Sequence, residues 1–406
     1  IILIYNSFAG TGGAGSFHTC WIKENDSNSL WCWGDNSRGQ LGQGDTTPRL
    51  LPTEVKNISN VSRVSAGGAH TCAIKADNTL WCWGDNRKGQ LGLGDTAIST
   101  CGSTSDPCAK GPRQVEVVDT NAPGNGTANL EFDLIAAGYE HTCARAAEGS
   151  LWCWGSNIRG QLGIGAETNQ NTPQKLSLTG TQAVNAGAYH TCAIKNDTPN
   201  QPAAATAYCW GSNSFGQLGV GDTKITTCGT GINSGPCAKF PRLVVGSASG
   251  SNFTGAEKIS AGAYHTCIVK TDDTVWCWGR NTYGQLGSGS TSNSKIPVKA
   301  KIDGVYQVAS GQNHTCARKI ASPFLLYCWG YNASGQLGTG NRANTSSPMQ
   351  VPGFTTTYRV NAGTWDTCAS KNDGSLWCWG DNSKGQLGIG NVLDKLSPTK
   401  LNFTWK

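Results

Sequence analysis

The chain has 406 residues, with 54 Gly, 18 Cys, 15 Trp and a single Met that is not the first residue. Apolar residues make up 37% and charged residues 14%, both below the usual globular shares of about 45–50% and about 25%. This composition excludes a coiled coil, and abundant Trp with a net charge of only +6 argues against a disordered chain. The opening apolar run at residues 1–5 is far shorter than the ~20 residues of a membrane-crossing helix, so no membrane span is expected.

In chain order, residues 1–13 read as an N-terminal strand or extension and residues 14–406 as a run of repeats. Gly-x-x-His-Thr-Cys-Ala recurs, as at 67–73, 138–144 and 187–193, and is followed by Leu-Trp-Cys-Trp-Gly-x-Asn-x-x-Gly-Gln-Leu-Gly-x-Gly, as at 80–94 and 376–390. The second Trp of that string falls at Trp33, Trp83, Trp154, Trp210, Trp278, Trp329 and Trp379, at intervals of 50, 71, 56, 68, 51 and 50 residues. Within a unit, 61–65, 70–75, 80–83 and 112–117 are short, β-rich and punctuated by Gly. Four such strands form a sheet that cannot bury both faces alone. The expected fold is all-β: a single seven-bladed propeller of four-stranded antiparallel blades. Insertions interrupt it near 97–111, 120–130, 196–207 and 224–240.

Each unit ends in a strand opened by Pro, at Pro52, Pro112, Pro173, Pro241, Pro297, Pro348 and Pro398, and residues 1–4 fall in an eighth such slot. If 398–401 circles back to close blade one, residues 1–6 are surplus and can pair with a sheet edge by strand addition. The alternative is an ordinary in-blade strand with Pro398 outside.

Fourteen cysteines pair within repeats: Cys20 with Cys32, Cys72 with Cys82, Cys143 with Cys153, Cys192 with Cys209, Cys267 with Cys277, Cys316 with Cys328 and Cys368 with Cys378. Cys72 and Cys82 flank a hairpin turn symmetrically, which places them opposite each other in an antiparallel ladder, within reach of a disulfide. Structural zinc wants four ligands at tight Cys-x-x-Cys spacing, and that pattern is missing. The pairs Cys101 with Cys108 and Cys228 with Cys237 staple two related insertions. Nine bonds imply an oxidising compartment, hence an extracellular, secreted or cell-surface protein. The non-Met first residue agrees with a processed N-terminus. Ten Asn-x-Ser/Thr sites, including Asn25, Asn57, Asn60 and Asn344, permit glycans; Asn313, another of the ten, falls in a repeat motif expected to be partly buried.

No catalytic, cofactor or metal residue stands out. His18, His70, His141, His190, His265 and His314 all occupy one repeat slot, where the seventh copy has Asp366, so each reads as a backbone partner and none is spare for a triad. The Gln of Gly-Gln-Leu-Gly (Gln40 through Gln386) and the Asn after Trp-Gly-x (Asn36, Asn86) read as turn partners. The Trp-Cys-Trp aromatics read as inter-blade packing, and Trp365, beside Asp366, as the mark of a contact surface. Scattered positive charge argues against nucleic-acid binding.

The strings Gly-x-x-His-Thr and Trp-Gly-x-Asn-x-x-Gly-Gln-Leu-Gly, repeated seven times over residues 14–401, resemble the regulator of chromosome condensation family of seven-bladed propellers. The paired cysteines resemble its secreted bacterial branch. The family includes a nuclear exchange factor, a plant ultraviolet photoreceptor and a bacterial β-lactamase inhibitor. The cysteines argue against the first. The photoreceptor's Gly-Trp-Arg-His-Thr is Gly-Ala-Tyr-His-Thr here, at 187–191 and 262–266, which argues against the second. An inhibitor-like role, using one rim as a protein-binding surface, stays open. The expectation is a non-enzymatic propeller that contacts a protein partner or self-associates as a subunit of a surface assembly. The alternatives are a soluble binder or inhibitor and, more weakly, a carbohydrate-binding propeller. The insertions at 97–111 and 224–240, with the loop at 120–130, are the expected contact regions.

Overall fold

The computed structural model describes residues 12–24, 27–94, 99–101, 106–119, 128–196, 198, 201–222, 225–231, 234–246 and 250–404. Residues 1–6, Asn25 and most of the 120–130 loop lie outside them. Seven antiparallel sheets follow one another along the chain, each built from consecutive strands. Blade one comprises Gly12–Ala14, His18–Lys23, Ser29–Gly34 and Arg49–Glu54, and blade seven comprises Thr357–Ala362, Asp366–Lys371, Ser375–Gly380 and Lys395–Thr404. Blades two and four gain a fifth strand from the insertions, at Ser99–Cys101 and Thr226–Cys228. A short ladder pairs Val118–Asp119 with Ala128–Asn129 between blades two and three. The insertion after Cys192 holds a 3₁₀ turn at Pro202–Ala204. No helix among the described residues is long and apolar enough to cross a membrane.

The core lies between blades. The second strand of a blade, such as His70–Lys75, is buried along its length save for the terminal Lys, because neighbouring sheets cover both of its faces. Trp83 of blade two packs with Leu41 and Val55 of blade one, and Trp33 of blade one with Leu376 and Leu387 of blade seven. The repeated Gly-Gln-Leu-Gly string makes room for that tryptophan. Gly42 has φ +72°, and a Cβ there would lie 2.8 Å from Trp83 Nε1. Glycine is therefore required twice over, for its backbone angle and for the ring beside it.

Pro398 does not circle back. Its strand, Lys395–Thr404, pairs with Ser375–Gly380 of its own blade, with Thr399 opposite Cys378. Nor does it lie outside: all seven proline strands hold the same position beside the third strand of their blade. The physical reason is spacing, since 395–404 follows its third strand as the other proline strands follow theirs. The inner position of blade one is filled by Gly12–Ala14.

All nine expected cysteine pairs bring their sulfurs to disulfide distance. In the repeats, Cys20 meets Cys32, Cys72 meets Cys82, Cys143 meets Cys153 and Cys192 meets Cys209. Further along, Cys267 meets Cys277, Cys316 meets Cys328 and Cys368 meets Cys378. The two residues of each repeat pair are direct ladder partners, one on the second strand of the blade and one on the third. Their Cα atoms are 4.1 Å apart in every case. The extra residues between Cys192 and Cys209 lengthen the hairpin tip and leave this register unchanged. In the insertions Cys101 meets Cys108 and Cys228 meets Cys237, with wider Cα separations of 5.8 Å. These pairs are not directly opposite each other: Cys108 faces Ser99, and Cys237 faces Thr226.

Candidate functional site

The six histidines form a relay between blades. His70 Nε2 lies 2.9 Å from Thr142 Oγ1 of the next blade, and that hydroxyl donates to the Gln90 carbonyl at 2.8 Å. Since the hydroxyl proton is committed to Gln90, the imidazole donates from Nε2. Its Nδ1 is buried without a partner, against Gly67, where a Cβ would come within 2.7 Å of it. The same arrangement recurs at His18, His141, His190, His265 and His314. Burial drives the pKa of His70, His141, His190, His265 and His314 down to about 3, and of His18 to about 4. The expected backbone partner is thus reached through a threonine. At the closing junction Asp366 stands in the slot. It is 1% exposed, its Oδ2 has no partner, and burial holds its pKa well above the carboxylate range, with Asp381 adding to the effect.

The Gln and Asn of the repeat are turn partners, as expected. Gln40 Oε1 accepts the Arg38 amide and Asn36 Oδ1 the Leu41 amide. In six copies the second Trp of the string donates its indole N–H across the blade junction, as Trp83 to the Gln40 carbonyl and Trp33 to that of Gln386, whereas Trp210 makes no such bond among the described residues. Both roles are structural, and they leave the polar repeat positions committed.

The lengthened hairpin between Cys192 and Cys209 opens on one face of the ring, while aromatic and charged residues that vary between blades gather on the other, onto which the Gly-x-x-His turns and the third-to-fourth-strand connections open. There the central channel widens into a cavity of about 370 Å³, lined among others by Phe17, Tyr139, Tyr189, Tyr264, Gln312 and Trp365. Trp365, read from the sequence as the mark of a contact surface, lines this cavity, and its ring centroid lies 5.4 Å from that of Tyr331. Tyr331 in turn packs 4.7 Å from Tyr283. Arg280 stands between Tyr283 and Tyr264, its guanidinium 5.5 and 5.9 Å from their centroids and 5.2 Å from Phe215. Tyr189 continues the arc 6.3 Å from Tyr264, and Tyr139 follows 6.1 Å further on. Sequence reasoning missed all of these but Trp365. The signal was present in the variable positions of the repeat: the two residues before His, the residue after Trp-Gly and the pair before Gly-Gln.

The insertions expected to make contacts form hairpins tied to the preceding blade. Asp106 pairs with Arg38. Glu167 pairs with Lys239 and accepts the Gly229 amide at 2.8 Å. Asn57, Asn60 and Asn344 are exposed, whereas Asn313 is buried at 4% exposure.

Fold and site together define a propeller whose repeat positions build the ring and whose variable aromatic and charged positions build one face. The model of the RCC1-like domain matches residues 64–406, and that of the regulator of chromosome condensation (RCC1) repeat matches residues 13–40 and 27–74. The chain belongs to the RCC1-repeat family. It is 31% identical over 349 residues to the Ultraviolet-B receptor UVR8 of Arabidopsis thaliana, covering 83% of this chain and 68% of that protein. It is 30% identical over 256 residues to the "Probable E3 ubiquitin-protein ligase HERC4" of Rattus norvegicus, covering 61% of this chain but only 21% of that protein. In structure it resembles yeast RCC1 (Prp20), solved bound to Kap60, with a TM-score of 0.77 and 19% identity over 100% of this chain and 88% of that one. That likeness shows the fold. The likeness to a secreted bacterial branch is not borne out by these eukaryotic relatives.

Proposed function

We propose that this chain is a non-catalytic, disulfide-bonded propeller of an oxidising compartment, secreted or displayed at a surface, that presents one face to a protein partner. The observation that carries the compartment is the pairing of all 18 cysteines, with none free among them. Cytosolic proteins seldom keep such a set. The family supports a binding role: RCC1 has been solved in complex with Kap60. The sequestered histidines support a non-catalytic reading, because groups that donate to a neighbouring blade are not poised for proton transfer. The partner is either another copy, in an extracellular assembly, or a separate protein held by a soluble binder.

Two measurements test this. Alkylation of the unfolded, unreduced protein should add no mass at cysteine, and alkylation after reduction should label all 18; labelling without reduction would defeat the oxidising-compartment reading. Light scattering with negative-stain imaging separates the two forms. Polymers or sheets identify a building block, and a 42.6 kDa monomer removes the assembly form and leaves the soluble binder.

A further inference from the structure

The face around the channel mouth divides into two halves. Over blades one and two, charged groups find partners within the chain: Arg38 takes Asp106, Arg87 takes Asp85, and Asp35 accepts from Ser37 and Gln40. Over blades four to six, rings and Arg280 take their place, joined by Trp365 of blade seven, whose Asp381 accepts from Ser383 and Gln386; several donors of this arc are unused. Arg280 Nε donates to Thr282 Oγ1 at 2.9 Å, and among the described residues no carboxylate pairs with its guanidinium. The hydroxyls of Tyr189, Tyr264, Tyr283 and Tyr331 make no hydrogen bond among the described residues, and neither does the Trp365 indole N–H. By contrast, the half-buried Trp31, Trp81, Trp276 and Trp377 each donate to a Ser or Thr two residues away.

We propose that this arc is the docking surface for a protein segment carrying a carboxylate between apolar or aromatic side chains. The proposal rests on the protein-binding reading above and gives it a place and a chemistry. A guanidinium set among three rings, its Nε held by Thr282, is weakly hydrated and keeps its two terminal nitrogens for a two-pronged grip on a carboxylate. Tyr, Trp and Arg are the residues that concentrate binding energy at protein contacts. The about 370 Å³ mouth beside Tyr264 and Trp365 accepts one apolar side chain. Phe215, Arg280, Tyr283 and Tyr331 lie beyond that cavity, so the occupant must pass over its edge. An extended peptide does so; a single sugar ring does not.

The test selects a displayed library of random linear peptides on the full-length protein. Synthetic versions of the enriched peptides are then titrated by fluorescence polarisation. Enriched peptides should hold Asp or Glu next to aromatic or aliphatic residues and weaken with salt. They should bind Arg280→Ala at least about tenfold more weakly, be partly rescued by Arg280→Lys, and ignore Phe240→Ala on the insertion hairpin. Circular dichroism confirms that each variant is folded. Equal binding to wild type and Arg280→Ala overturns the proposal while leaving the chain a protein binder. So does binding that is lost with Phe240→Ala. Failure to enrich any peptide counts against both readings.

Discussion

Asp366 shows what one residue does in a ring of repeats. In the other six copies an imidazole donates across the junction to a threonine hydroxyl. Here a buried carboxyl faces that role with Oδ2 unpartnered, and Thr19 keeps only its bond to the Gln386 carbonyl, 2.9 Å away. Because the folded pKa is raised above that of the unfolded chain, the folded state binds the proton more tightly. Stability at this site is complete below the unfolded carboxyl pKa and falls as pH rises toward the folded one. Asp366→Asn should therefore raise the melting temperature by a few degrees at pH 7.5 and by less at pH 5.5, where the fold is still intact. Asp366→His, which restores the relay, should raise it at pH 7.5 as well. Scanning calorimetry at the two pH values decides; an equal gain at both would refute a titrating carboxyl. The replacement itself was plain in the sequence because the other six copies share one residue. Its cost was not, since that depends on what lies across a junction between residues 366 and 19.

At the scale of the strand pair, the recurring unit is a hairpin whose two strands face each other through cysteine. The pairing of Cys72 with Cys82 could be read from a symmetric turn, and local ladder geometry is what sequence conveys best. The aromatic arc was illegible for the opposite reason. Tyr189, Arg280 and Tyr331 belong to three successive blades and share a face only because those blades pack side by side, so no short window of sequence contains them together. The hairpin makes its own prediction. With both sulfurs bonded, Cys72→Ala with Cys82→Ala should cost at most about 2–3 kcal/mol, the nominal value for a loop of this size, and less if the ladder already holds the ends together. Removing Cys101 and Cys108 together should lower the propeller's melting temperature far less, since that hairpin stands on the rim outside the inter-blade core. Thermal melts of the two double variants check the ranking.

Across the whole molecule, six buried neutral histidines act as one acid sensor. Their folded pKa values of about 3 to about 4 lie below the ordinary value of about 6.5, so the unfolded chain binds protons that the folded one refuses. Their contribution is intact above about pH 6.5 and is lost as pH falls toward the folded values. Each group gives up to about 1.4 kcal/mol per pH unit, and six together should exhaust a typical net stability of about 5–15 kcal/mol within roughly two units. Tryptophan fluorescence should thus report a cooperative acid transition near pH 5, steepened by several protons. A profile flat to pH 3 would contradict neutral buried imidazoles.

Among the described residues every sheet keeps its own strands, and none takes one from the far end of the chain. Blade seven meets blade one through the bonds that join other neighbours: Trp33 and Thr19 to Gln386, and the Gly390 amide to the Leu50 carbonyl. As a pattern of pairings the ring has no first blade. Cutting the connection between any two neighbours and linking blade seven to blade one would leave all the ladders as they are. A circular permutant opened at another junction should therefore keep every described ladder.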